Sequence, residues 1–206
     1  AALPIMAAAL LTDKPVVLDR VPDVADVRTM AALLTSLGAH VDRFGKNSLC
    51  IDTRNRTQYR APAELVGAMR ASICVLAPLV VRCGRAEIPL PGGCNLGPRP
   101  IDLHLRALAA FGADIRIEDD TIVAEADRLR PACVSVRGPH GPSVTGTATA
   151  LMAAAGTPGT SRIEHAALEP EIADLANVLI QMGAVIDGVG SETLVVDGVP
   201  GLGGVR

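Results

Sequence analysis

The sequence predicts an α/β domain in which one helix-strand-helix-strand-strand unit occurs three times, with helices packed inside and sheets outside. Three observations carry this. A helical pattern closed by Gly-Ala recurs at Gly38, Gly112 and Gly183, 74 and 71 residues apart. An Ala-rich run stands upstream of each copy. The chain has only Phe44, Tyr59 and Phe111 as aromatics, so its core volume comes from Ala, Val, Leu and Ile, and Ala-faced helices pack closely.

In the first copy an apolar helix over 3–11 feeds a strand over 16–21. Val24, Val27, Ala31 and Leu34 keep a 3.6-residue spacing up to Gly38, read as a C-terminal cap. Strands follow over 40–44 and 48–52, joined by Gly45-Lys46-Asn47. The second copy has a helix over 69–80, a strand over 86–90, a helix carrying Ile101, Leu105 and Leu108, then strands over 114–118 and 121–126. The third has a helix over 147–155, a strand over 161–165, the Ile172, Leu175, Leu179, Met182 helix, and strands over 185–189 and 193–197. A repeat of this length is too long for a leucine-rich or ankyrin solenoid.

A formal net charge of -3 gives no sign of wholesale binding to nucleic acid or anionic membrane. Scarce aromatics also exclude a base-stacking platform. No apolar run reaches the roughly 18 residues of a membrane helix, and the apolar residues 1–11 have no basic leader, against a signal peptide. Five cysteines without a CxxC pair suggest a reducing, cytoplasmic setting. Cys50 and Cys133 in strand-like runs and Cys74 in an apolar helix are expected to be buried and inert, and Cys83 structural.

Residues 91–104 differ in kind. Gly92, Gly93 and Gly97 loosen a segment that holds Cys94 and Arg99, and Pro98 and Pro100 stiffen its far end. Pro100 suits the first position of the helix bearing Ile101, so free helix amides and Arg99 would favour a thiolate at Cys94 and an anion beside it. A surface turn with an inert cysteine fits the local pattern equally well.

The loop PGGCNLGPRPIDLH (91–104), with APAELVGAMRAS (61–72), PSVTGT (142–147) and LEPEIADLAN (168–177), resembles the enolpyruvyl transferases, most nearly those acting on UDP-N-acetylglucosamine. The likeness spans the whole chain in order. It implies an inside-out α/β barrel of three repeated units, one of two such domains with the active site between them, and no metal or organic cofactor. It implies transfer of the enolpyruvyl group of phosphoenolpyruvate to a hydroxyl of a uridine nucleotide, releasing phosphate through a tetrahedral intermediate. By motif, Cys94 corresponds to the cysteine that forms a phospholactoyl adduct and is the target of fosfomycin, as acid or covalent group. Arg99 matches a phosphate-binding arginine and Arg70 a second active-site arginine. The uridine side falls on Pro100, Asp102, Leu103, His104, Ser143, Val144 and Thr145, with Glu169 and Glu171 in the matching acidic segment. Plain alternatives stand beside these: a solvated Arg70, Asp102, Glu169 and Glu171 as first-turn acids favourable to the helix dipole, and a surface His104.

The resemblance also marks departures. The family's Lys-Asn pair would precede Ala1, and its general base and further arginines belong to the second domain, so the expectation is one domain over 1–206, cut from something longer and inactive alone. Gly141 stands where a lysine near the diphosphate is usual, and Leu168 where an arginine is usual. Losing two positive charges there favours a smaller acceptor such as UMP, as in enolpyruvyl transferases of nikkomycin-type antibiotic pathways. A nucleotide-binding module without catalysis is a further alternative. The shikimate-phosphate members lack the cysteine loop, so Cys94 counts against them.

Overall fold

The structure, a computed structural model, describes residues 1–54, 58–91, 101–139 and 141–206. The first repeat comprises α1 (Ala2–Ala8), a 3-10 turn (Ala9–Leu11), β1 (Val16–Leu18), α2 (Ala25–Ser36), β2 (His40–Phe44) and β3 (Ser48–Asp52). The second comprises α3 (Ala63–Ala68), a 3-10 helix (Arg70–Val75), α4 (Leu76–Cys83), β4 (Arg85–Pro89), α5 (Asp102–Ala110), β5 (Asp114–Glu118) and β6 (Thr121–Glu125). The third comprises β7 (Cys133–Ser135), a ribbon of β8 (Arg137–Gly138) and β9 (Gly141–Pro142), α6 (Val144–Ala155), β10 (Gly159–Glu164), α7 (Pro170–Gln181), β11 (Val185–Asp187) and β12 (Thr193–Gly198).

The same topology recurs in all three. The sheets run β1-β3-β2, β4-β6-β5 and β10-β12-β11, each antiparallel with its last strand in the middle. Each first strand also takes a parallel neighbour on its free edge. For β10 this is β7; for β4 it is residues 59–61, where Arg60 bridges Glu87; for β1 it is residues 202–205, where Val205 bridges Val16 and Leu202 bridges Thr12. Covering the edge in this way satisfies backbone groups that an open sheet would expose. Side chains reinforce the second edge: Arg60 Nη2 lies 2.5 Å from Glu87 Oε2 and Arg85 Nη2 2.6 Å from Glu87 Oε1. The two guanidiniums, Arg60 foremost, hold the Glu87 carboxyl below the usual carboxylate range.

Packing follows the predicted inside-out plan. Every residue of α6 from Gly146 to Ala155 is buried, and α6 meets α4, α5, α7 and α1. With so many alanines, β12 comes close as well: a Cβ at Gly198 would lie 2.1 Å from the Ala154 carbonyl oxygen. The large fully buried side chains, Phe111, Met6, Leu10, Met30 and Leu33 among them, fill the remaining volume. Each such side chain contributes about 1.5–3 kcal/mol. The three expected caps are present, with φ of 97° at Gly38, 97° at Gly112 and 112° at Gly183.

Several expectations are corrected. The helix expected over 69–80 is broken: Met69 is extended, and the 3-10 helix Arg70–Val75 precedes α4. Pro78 lacks the N–H that a continuous α-helix would direct to the carbonyl four residues back, which disfavours one helix through this point. Helix α5 starts at Asp102 with Ile101 as its N-cap, later than a start at Pro100 requires. Cys133 is exposed and Cys50 half-buried, because strand alternation turns Val134 and the pair Leu49 and Ile51 inward instead; Cys74 is buried as expected, and Cys83 is half-buried.

Candidate functional site

Helix starts from all three repeats gather at one end of the molecule. A cleft of about 340 Å³ there is walled by the first turns of α1 (Ala2, Leu3), α2 (Val24, Asp26), α6 (Val144, Thr145) and α7 (Glu171, Ile172), and by Ala71 and Cys74 of the 3-10 helix. The start of α5 joins them through His104, whose Nε2 lies 2.8 Å from Thr145 Oγ1. First-turn amides have no partner within their own helix, and the helix dipole adds positive potential, so this end of the fold suits an anion.

The acids are distributed unevenly. The outer helices α2, α5 and α7 carry Asp26, Asp102 and Glu171 in their first turns, which offset that potential locally. The inner helices α1 and α6 and the 3-10 helix at Arg70 carry none. The uncompensated positive ends therefore belong to the inner ring, and Arg70 adds a full charge to it.

Each sequence-identified residue has a definite place. Ser143 caps α6, its Oγ accepting from the Gly146 amide at 3.1 Å. Val144 and Thr145 follow on the cleft wall. Leu103 is a packing residue: a Cβ at Gly138 would come within 3.1 Å of its Cδ1 and one at Gly146 within 3.4 Å of its Cβ, so the α5 start is seated on the α6 start and the β8-β9 ribbon. Asp102 is exposed, 3.9 Å from Arg106 Nη1. Glu169 is the exposed N-cap of α7, whereas Glu171 is half-buried and faces the cleft. The Thr147 hydroxyl accepts from the Ala167 amide at 3.0 Å, tying the approach to α7 onto α6. Cys94, Arg99 and Pro100 lie outside the described residues.

His104 is not a surface residue; it is 2 % exposed. It shares the inward face of α5 with Leu103, Ala107 and Leu108. Its Nδ1 lies 3.3 Å from the Ile101 carbonyl oxygen. Burial pushes the imidazole down to about 4; the nearby Arg70 charge pushes the same way, while the Ile101 bond and Asp102 oppose it. Arg70 thus stands near His104, at the half-buried start of the 3-10 helix.

Sequence reading missed the contribution of α1 and α2 to this cleft. Asp26 precedes Gly38 as Glu171 precedes Gly183, so superposing the repeats signals its place. Buried Cys74 also lines the cleft, its thiol pushed up to about 12 by desolvation and so held unionised. A larger hollow of about 710 Å³ lies along the second sheet, but its Arg60 and Arg85 are engaged with Glu87 and Glu125. Among the described residues no group of three His, Cys, Asp or Glu side chains could hold a metal ion, and no helix is long and apolar enough to cross a membrane.

Comparison with known proteins agrees with this architecture. The family described as EPSP synthase (3-phosphoshikimate 1-carboxyvinyltransferase) matches residues 1–206. A UDP-N-acetylglucosamine 1-carboxyvinyltransferase of Akkermansia muciniphila is 50% identical over 205 residues, covering 99% of this chain and 48% of that protein. One from Gloeobacter violaceus is 49% identical over 202 residues, covering 98% and 43%. The chain thus spans about half the length of the curated relatives it matches. Among solved structures, the enolpyruvyl transferase NikO from Streptomyces tendae has a TM-score of 0.86 at 28% identity, covering 98% of this chain and 48% of NikO. EPSP synthase from Acinetobacter baumannii has the same fold, at a TM-score of 0.74 and 11% identity.

Proposed function

The chain belongs to the EPSP synthase family, and on that premise we propose that it forms the acceptor-side domain, with the cysteine loop, of an enolpyruvyl transferase. The whole protein would transfer the enolpyruvyl group of phosphoenolpyruvate to a hydroxyl of a uridine nucleotide, UDP-N-acetylglucosamine in the leading reading. The acceptor hydroxyl gives up its proton to a base as its oxygen bonds to C2 of phosphoenolpyruvate, while a proton adds to C3. The C2–O bond to phosphate then breaks as C3 returns a proton.

The observation that carries this reading is the meeting of uncompensated inner helix starts at one cleft, whose Thr145 bonds buried His104, with the Arg70 charge close to that histidine. Two anionic substrates need such a surface, and preorganised donors act without reorganisation during reaction. Arg70 would hold a phosphate or carboxylate group, and the starts of α5 and α6 the nucleotide. Asp102, Leu103, Ser143 and Val144 would shape the nucleotide side, with Glu169 and Glu171 at its edge. Cys94, Arg99 and Pro100 take the roles that their motif implies, Cys94 at phosphoenolpyruvate and Arg99 at its phosphate. A second domain of the same protein would complete the site in the cytoplasm.

UMP is the second candidate acceptor, supported by Gly141 and Leu168, which leave the nucleotide side two cations poorer than the family pattern. Phosphate release by the full-length protein, with phosphoenolpyruvate and either UDP-N-acetylglucosamine or UMP, tests both. Steady release with the nucleotide sugar is expected, and Arg70→Ala should cut kcat/KM for phosphoenolpyruvate at least 100-fold, about 3 kcal/mol. Faster turnover with UMP would transfer the assignment to the second acceptor, and no release with either would reject the activity.

A further inference from the structure

We propose that Ser72 is a positioning residue for Arg70: its buried hydroxyl takes the place of the Arg70 amide at the Val66 carbonyl, stops α3 short of Arg70, and so sets where the guanidinium stands. This rests on the reading of Arg70 as a group that holds phosphoenolpyruvate.

Helix α3 ends at Ala68, Met69 is extended with φ of -149° and ψ of 122°, and the 3-10 helix begins at Arg70. The usual punctuation is absent from this break. Pro62 precedes α3, Pro78 lies beyond the 3-10 helix, and Gly67 has no positive φ. A helix also breaks where a side chain inserts into its hydrogen-bond ladder, and Ser72 does so here. In an unbroken α-helix the Arg70 amide would donate to the carbonyl four residues back, that of Val66. Ser72 Oγ lies 3.1 Å from that carbonyl oxygen and 2.6 Å from the carbonyl oxygen of Met69. Both oxygens can only accept, so the hydroxyl is the donor, foremost to Met69.

The bond to Met69 bears on Arg70 directly. The Met69 carbonyl belongs to the planar peptide unit that enters Arg70, and it also accepts the Ser72 amide at 3.1 Å. Two donors on one oxygen fix the plane of that unit, and with it the direction in which Arg70 leaves the backbone. Val66 and Ser72 are fully buried and Met69 is 5 % exposed, so water does not stand in for the hydroxyl. Once the hydroxyl is removed, the Val66 carbonyl regains a full partner when Met69 turns helical and the Arg70 amide comes to it. That move continues α3 and carries the guanidinium away from its place near His104.

The test uses the full-length protein, with Ser72→Ala made alone and together with Arg70→Ala. Carbon-13 labelled methionine, with Met69→Leu to assign the signal, should give an extended-type Cα shift for Met69 in the unsubstituted protein. In Ser72→Ala that shift should move toward the helical range, and no movement overturns the proposal. Ser72→Ala should lower kcat/KM for phosphoenolpyruvate about ten-fold and leave KM for the uridine nucleotide unchanged. Added to Arg70→Ala it should lower kcat/KM no further, although Tm falls equally in both backgrounds. An equal loss of kcat/KM in both backgrounds makes the role of Ser72 purely structural, which overturns this inference and leaves the functional reading in place. Ser72→Cys, of similar size and with a weaker donor, should show smaller changes of the same kind and serves where alanine does not fold. If the unsubstituted protein neither binds nor turns over phosphoenolpyruvate, the functional reading falls and takes this inference with it.

Discussion

The amide of Ala184 donates to the carbonyl of Leu179 at 3.1 Å, and the same closing bond links Ala113 to Leu108 and Ala39 to Leu34. Between each pair a glycine with positive φ turns the chain out of the helix, its own amide bonding three residues back. One local device, used three times, sets the angle at which each hairpin leaves its outer helix.

At Gly183 nothing lies within 4 Å of a built Cβ, so its requirement is conformational and not steric. Gly183→Ala should lower stability by about 1 kcal/mol, a fall of about 2–4 °C in Tm. Gly67, inside α3 with equal free space and no positive φ, should respond oppositely: Gly67→Ala should gain about 0.4–1 kcal/mol. Thermal unfolding of the two variants checks the contrast in sign.

His104 should make the fold acid-sensitive. Its folded value of about 4 lies below the unfolded 6.5, so the unfolded chain binds the extra proton. The stabilisation is complete above pH 6.5, falls as pH drops toward 4, and amounts to about 3 kcal/mol over that interval. Denaturant midpoints at pH 7 and pH 4.5 should fall less steeply in His104→Gln than in the unsubstituted protein.

The cysteines should separate by reactivity. Exposed Cys133 should react with a thiol reagent in the native protein, and Cys133→Ser should remove that signal. Cys74, buried and with its thiol pushed up to about 12, should react only after unfolding. Mass mapping of labelled peptides with and without denaturant reads both.

The repeat was legible because Gly38, Gly112 and Gly183 each end an apolar helical stripe and precede alternating runs, signals that local backbone chemistry dictates. The parallel edge partners at 59–61 and 202–205 were not legible, being stretches of a few residues whose pairing depends on distant chain. Motif matching named His104 and Thr145 separately, yet their bond is long-range and appears only when α5 is laid against α6. The burial of His104 could have been read from its spacing of three and four residues to Ala107 and Leu108. Asp26 escaped because it belongs to no matched motif and only the threefold arrangement places it.

The third edge partner has a temporal consequence. Thr12 donates its hydroxyl to the Leu202 carbonyl at 2.6 Å, and Val17 donates its amide to the Val205 carbonyl at 2.8 Å, so the first sheet borrows its outermost backbone from residues some 190 positions later. At ribosomal speeds of about 5–20 residues per second, β1 waits roughly 10–40 s for that partner, whereas β4 and β10 receive theirs from chain already made. Of the three first strands β1 is thus the last to be sealed, and during that interval its bare edge is the place where a chaperone, or a neighbouring nascent copy, has access.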